Sequence, residues 1–214
     1  MHLIKNNNCL ICFKSQNEDN SLKSLLTFNQ VICDKCQSKF KIFNKKEIID
    51  GVEVWFLYEY NQVIKELIYK YKGCYDLALK DVFLNKYKKE IHKKYKNYII
   101  IYPPSNRKDD EKREFRHIEK MIECLRLKHI NLFYKTKDYK QSSHHFNERN
   151  IIKDIIAIKP HMTLDTDKKY LIIDDIYTSG STLKTIIELL VKCNIKKSNL
   201  KAVIFCKTAK FVEI

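Results

Sequence analysis

Glycine and proline are nearly missing from this chain, with three of each among 214 residues. Average usage would supply roughly 15 glycines and 11 prolines. That scarcity excludes a flexible linker, a collagen-like repeat and a low-complexity chain. It also gives weight to Gly51, Gly73 and Gly180, each expected where the backbone tolerates no side chain. No run approaches the roughly 18 consecutive apolar residues of a membrane span, so none is expected. The opening MHLIKNNNCLICFK lacks the apolar core of a secretory signal, which makes a cytoplasmic location the expectation.

Hydrophobic residues make up 44% of the chain and aromatics 12%, enough to bury a sizeable core. The formal net charge is +15, and 36 of the 41 basic residues are lysine. Lysine shares A/T-rich codons with Ile (28), Asn (16) and Tyr (13), which are also abundant. The excess therefore admits two readings, a solvated lysine-coated surface or a polyanion-binding one.

The eight cysteines are unevenly placed: two tight pairs stand near the N-terminus and four are scattered. Cys9-x2-Cys12 and Cys33-x2-Cys36 are separated by 20 residues. Each C-x2-C turn lets two thiolates converge on one ion, and two such turns complete a tetrahedral S4 site suited to zinc. A segment this short cannot bury enough apolar surface to fold alone, whereas structural zinc contributes roughly 10–16 kcal/mol in finger peptides. Four protein ligands leave no position for water, so such an ion is structural rather than catalytic. The alternative is four incidental buried thiols. His2 is off the spacing and a poor competitor ligand. The expected module is a zinc ribbon over residues 1–48, serving protein docking or nucleic-acid contact.

Residues 44–51 (NKKEIIDG) read as a linker, followed by a short strand in VEVWFLYEY. The apolar stripe at 63, 64, 67, 68 and 71 predicts a helix ending at Gly73. A second helix, roughly 76–95, would carry Lys86, Lys89, Lys93 and Lys96 on one face, with Tyr87 and Tyr95 between them. That face is either solvated or a contact for a phosphate backbone. From residue 97, apolar runs at 98–102, 131–134, 154–158, 170–174 and 200–206 alternate with helical patterns near 114–128 and 182–193. This alternation predicts an α/β fold over 49–214, a mostly parallel sheet flanked by helices. Ligands in such folds sit at the carboxyl ends of strands.

One such end is specific. Tyr170-Leu-Ile-Ile runs into Asp174-Asp175, then Ile-Tyr, then Thr178-Ser179-Gly180-Ser181-Thr182 and a helix. Backbone N–H groups at a helix start, with Ser and Thr hydroxyls, form a nest for phosphate, and Gly180 permits close approach. Two carboxylates beside a phosphate nest would be repulsive unless they faced something else. Accepting hydrogen bonds from a vicinal diol resolves the conflict: the pair reads ribose hydroxyls while the loop holds the 5′-phosphate. The plain alternative is a Ser/Thr helix cap with solvent-facing acids.

Positions 171–182 resemble the phosphoribosyl pyrophosphate (PRPP) motif of phosphoribosyltransferases, an apolar strand, two acids and a T-[ST]-G-x-T loop. With the four-cysteine ribbon, the whole chain resembles the ComF family, zinc-ribbon phosphoribosyltransferase-like proteins associated with natural competence and DNA uptake. Tyr69-Lys-Tyr-Lys-Gly73 is similar to that family's K-[FY]-x-G stretch, and Tyr102-Pro-Pro-Ser105 to its V-P-x loop. Arg113-Glu-Phe-Arg-His117 falls where R-G-F-N-[QH] is usual, with Glu114 and Arg116 in place of Gly and Asn. Gln141 and Arg149-Asn150 resemble the Q…R-x-x-N run, with Arg149 directly beside Asn150; Cys74 stands where an acid is common.

The resemblance implies a type I phosphoribosyltransferase-like fold and a site for PRPP or a related nucleotide built from Asp174, Asp175, Thr178, Ser179, Gly180, Ser181 and Thr182. It implies Mg2+ carried mainly by PRPP, with Asp174 or Asp175 assisting, and structural Zn2+ on Cys9, Cys12, Cys33 and Cys36. Lys70, Lys72, Arg107 and Arg113 become candidates to neutralise the pyrophosphate, and Asp174 and Asp175 the candidate catalytic pair. Implied partners are single-stranded DNA and competence helicase-type proteins. Three readings follow: a competence factor that binds PRPP without obligatory turnover, an active transferase of nucleobase salvage or modification, and an adaptor with a vestigial site. The intact TSGST argues against the adaptor, and the missing glycine at 114 against the transferase. His117, His144 and His145 lie near expected loops, where surface placement is the expectation; the adjacent pair is weak as a metal site.

Overall fold

The computed structural model describes residues 8–16, 31–136 and 156–208. A short helix, α1 (Asp34–Gln37), lies in the cysteine module. Then β1 (Ile42–Ile49) turns through Asp50 and Gly51 into β2 (Val52–Glu59). Both turn residues have positive φ, 49° and 81°, the geometry a tight hairpin requires. Helix α2 (Gln62–Lys72) is capped by the Asn61 side chain, which accepts from the Ile64 N–H. Next come α3 (Lys88–Tyr95), β3 (Tyr98–Ile101), α4 (Arg107–Arg113), α5 (His117–Ile122) and β4 (His129–Ile130). A separate antiparallel pair, β5 (Phe133–Lys135) with β6 (Ile156–Ile158), precedes β7 (Lys169–Tyr177), α6 (Ser181–Lys192) and β8 (Leu200–Lys207).

Six strands form one sheet in the order β1-β2-β8-β7-β3-β4. Only β1–β2 is antiparallel; the other four pairings are parallel. The expected mostly parallel sheet flanked by helices is therefore present. Its central strands read as continuous apolar runs because both faces are covered. Trp55, Leu57, Leu171, Ile173, Val203 and Phe205 pack beneath α2, α3 and α5. Their neighbours Val54, Phe56, Tyr170, Ile172, Ala202 and Ile204 pack against α6 and the β5–β6 pair.

Two expectations need correction. Residues 44–51 are not a linker: they form most of β1 and its turn, so the division at 48/49 falls inside a strand of the main sheet. The helix expected over 76–95 is a 3-10 turn at Leu77–Asp81 followed by α3 alone. Lys86, Lys89, Lys93 and Lys96 are exposed as expected, but Tyr87 and Tyr95 are buried in the core rather than shared with the lysine face. The cysteine module also packs directly on the sheet. Ile32 and Phe40 join the core of Trp55 and Tyr58, and the Phe40 ring meets Tyr58 edge-on at 5.5 Å.

No helix among the described residues is long and apolar enough to cross a membrane. Gln141, His144, His145, Arg149, Asn150 and the start of the 154–158 strand lie outside the described residues, as does His2.

Candidate functional site

Strand β7 carries the acidic pair out of the core. Leu171 and Ile173 face one core and Tyr170 and Ile172 the other, so the two-residue period aims Asp175 towards α2 and α5 and Asp174 towards the opposite face. On the first face two helix ends converge on Asp175. Lys72, the last residue of α2, forms an ion pair with Asp175 Oδ2. His117, the first residue of α5, places Nε2 3.7 Å from the same oxygen. The Tyr71 hydroxyl donates to the His117 carbonyl at 2.6 Å and ties the two helices together. Beneath them the Cys206 thiol donates to the Asp175 carbonyl at 3.2 Å.

The charges of this cluster are set by burial first. Burial works to raise the Asp175 carboxyl, but the Lys72 ammonium and then His117 outweigh it and hold it at about 2. Asp174 moves the other way, well above the usual carboxylate range, because burial and the adjacent Asp175 charge both oppose ionisation. His117 is depressed to about 3, by burial and then by the Lys72 charge. The surface placement expected for His117 is therefore wrong: its side chain keeps only 12% of its exposure, and Nδ1 is buried without a hydrogen-bond partner among the described residues. No sequence spacing signals this contact, because it joins three separate elements.

The loop after β7 has the expected form. Gly180 has φ 79° and stands at the N-cap of α6 without any side-chain cap. A Cβ at this position would collide with the Tyr177 hydroxyl. The Ser179 and Ser181 hydroxyls are 2.8 Å apart, Ser181 is buried, and Thr178 and Ser179 are exposed. The Ser181 N–H reaches the Ser179 Oγ only at 3.4 Å, and Gly180 has no side chain to cap the turn, which leaves backbone N–H donors for an anion. A cleft of about 700 Å3 beside the loop is lined by Ser179, Ser181, Lys184, Thr185, Asp50 and Lys197.

The four pyrophosphate-side candidates scatter. Only Lys72 reaches the acidic pair. Lys70, two residues earlier on α2, is exposed. Arg113 is buried and bonded to Asp110 at 3.2 Å. Arg107 is exposed, pairs with Glu111 at 2.8 Å, and borders a second cleft of about 860 Å3 beneath β5. Glu114 adopts φ 62°, ψ 12° at the end of α4, a left-handed conformation that glycine would take without strain.

The carboxylates do not fit a magnesium-assisting role as they stand. Asp175 Oδ2 is held by Lys72 and Oδ1 accepts the Ile176 N–H at 2.9 Å. Asp174 Oδ1 accepts the Asp175 N–H at 2.8 Å, and its surroundings favour the neutral acid. The four thiols do fit a metal. Cys9, Cys12, Cys33 and Cys36 bring their sulfurs within 4.8 Å of one another, and Cys12 and Cys33 stand 3.8 Å apart. Four sulfurs about 2.3 Å from one tetrahedral ion would be separated by about 3.8 Å. Burial works to raise the Cys9 thiol, yet backbone N–H groups of Cys33, Cys12 and Ile11 bring it down to about 6, while burial and the neighbouring thiols push Cys36 up.

The phosphoribosyl transferase domain matches residues 125–210, a span that includes the acidic pair and the whole loop. Residues 125–210 are thus similar to a domain of the phosphoribosyltransferase class. Over 200 residues it is 28% identical to the competence protein ComFC of Streptococcus pneumoniae, covering 91% of this chain and 87% of that one. Over 225 residues it is 22% identical to ComFC of Bacillus subtilis, covering 91% of each. With the domain match, these similarities support the resemblance to the ComF family. A solved hypoxanthine phosphoribosyltransferase of Staphylococcus aureus covers 61% of this chain and 74% of its own, at 16% identity and a TM-score of 0.39.

Proposed function

We propose that the protein binds PRPP or a related ribose phosphate at the end of β7 and acts in natural competence, in the uptake or processing of single-stranded DNA. The observation that carries the binding reading is the joining of one acidic pair to one uncapped helix start through Gly180. The loop from Thr178 to Thr182 receives the 5′-phosphate on backbone N–H groups and hydroxyls. Asp174 and Asp175 take the ribose hydroxyls through their remaining lone pairs. The competence role is carried over from the two ComFC relatives, both competence proteins matched over 91% of this chain.

Binding without obligatory transfer is favoured over catalysis. A transferase needs cationic groups gathered at the leaving pyrophosphate. Of the four candidates only Lys72 reaches the acidic pair, and its charge is spent on Asp175. The four-cysteine module holds structural zinc and, being packed on the Trp55–Tyr58 core, braces the sheet as well as offering a docking surface. The boundary between the two domains then falls before Ile42, ahead of β1.

Complementation tests the whole reading. A competent strain lacking this gene should regain transformation with the wild-type chain and fail to regain it with Asp174→Ala plus Asp175→Ala at equal protein level. Full rescue by the double variant refutes the role of the site.

A further inference from the structure

A ribose-phosphate site built around two adjacent carboxylates ordinarily calls for a cation to offset them. In this protein a cation is already there. The Lys72 side chain, 24% exposed, reaches from the end of α2 to Asp175 Oδ2, whose own side chain is 11% exposed. Its position is braced from several directions: Tyr71 bonds to the start of α5 through the His117 carbonyl, and Gly73 closes α2 with its N–H on the Tyr69 carbonyl at 2.6 Å. His117 Nε2 fills the other approach to the same oxygen at 3.7 Å. Both helix ends therefore shut the first face of the pair against a hydrated divalent ion, which keeps several of its waters and needs room for them. The Lys72 ammonium supplies the charge and the His117 ring supplies the bulk.

We propose that the Lys72 ammonium is the resident cation of the acidic pair, standing at Asp175 where a divalent ion would otherwise be drawn, so that a ribose phosphate enters without a metal bridging it to the protein. This rests on the ribose-phosphate reading of the site. Magnesium remains a companion of any pyrophosphate the ligand brings, but the protein does not hold it. Lys72 is thus a positioning and specificity residue: it fixes Asp175 as an ionised acceptor and leaves Asp174 as the half of the pair that can give or accept a proton in a hydrogen bond. Direction of charge supports this division, since Asp175 is held low and Asp174 pushed high by their surroundings.

The test uses the full zinc-loaded chain and ribose 5-phosphate, a ligand with no pyrophosphate to recruit magnesium by itself. Calorimetric affinity is measured for wild type, Lys72→Arg and Lys72→Met, each in magnesium and in a chelator that spares the zinc site. Wild type and Lys72→Arg should bind equally, within about twofold, in both conditions. Lys72→Met should lose about tenfold or more in the chelator and recover in magnesium, because the uncompensated carboxylate then recruits a metal. Electron paramagnetic resonance of Mn2+ should show a new bound ion in ligand-free Lys72→Met only. If Lys72→Met does not fold, Lys72→Met with Asp175→Asn removes both charges and should bind without any magnesium dependence. A wild type that needs magnesium for ribose 5-phosphate, or a Lys72→Met protein that binds normally in chelator, overturns the inference. Wild type that binds neither ribose 5-phosphate nor PRPP in either condition overturns the site reading itself, which separates the two failures.

Discussion

Acidification should destabilise this protein through one histidine. His117 is pulled from an ordinary 6.5 to about 3 in the folded chain, by burial and by the Lys72 charge. Asp175 opposes the shift, while Arg113 and Lys135 add to it. The unfolded chain therefore binds one more proton than the folded chain wherever the pH lies between those two values. Stability from this group is fully present above the unfolded value and is lost as pH falls from 6.5 towards 3. Each pH unit within that window removes about 1.4 kcal/mol. Between pH 7 and pH 4.5 the loss comes to about 2.5 kcal/mol. For a chain of this length that lowers the melting temperature by roughly 5–10 °C. The control is His117→Gln, which is neutral at every pH. Its melting temperature starts lower at pH 7 from imperfect packing, but its slope with pH should be shallower than wild type by that amount. Differencing the two slopes cancels the carboxylates that His117 does not touch, whereas Asp175, which His117 helps to hold low, stays in the difference. Identical slopes would show that His117 is accessible to protons in the folded chain, and the buried cluster at Asp175 would be misdrawn.

Other outcomes follow from the remaining geometry. Cys36→Ser should abolish stoichiometric zinc, read by elemental mass spectrometry, and lower the melting temperature of the whole chain, because Ile32 and Phe40 share the core of Trp55 and Tyr58. Unfolding confined to the ribbon would contradict that shared core. Glu114→Gly relieves a left-handed residue at the end of α4 and should stabilise the fold by about 0.5–1 kcal/mol in urea unfolding. A loss of stability there would mean the conformation is not strained.

Much of this was legible in the residues. Strands β2, β7 and β8 are apolar on both faces, so the parallel sheet is visible in their composition. The acidic pair, the glycine loop and the paired cysteines are local patterns whose chemistry follows from spacing. Strand β1 was not legible. It lies at the sheet edge, only partly buried, and its lysines and glutamate lack the alternation that marks a half-buried strand. The helical reading of 76–95 failed for a different reason: Leu79, Val82, Phe83 and Leu84 are buried together, and tight packing of that segment overrides its helical period. The meeting of Lys72, His117 and Asp175 depends on three elements packed in space, and no local pattern encodes it. Glu114 lies between these cases. The residue marked a missing glycine, and the backbone there keeps the glycine-like conformation with a side chain attached.

The most direct measurement is calorimetric titration of PRPP into the zinc-loaded protein and into Asp174→Ala plus Asp175→Ala. The site drawn at the end of β7 predicts saturable one-to-one binding by the wild type and its loss in the double variant, with zinc content and fold retained. Equal affinity in both proteins, or no binding by the wild type, would contradict it.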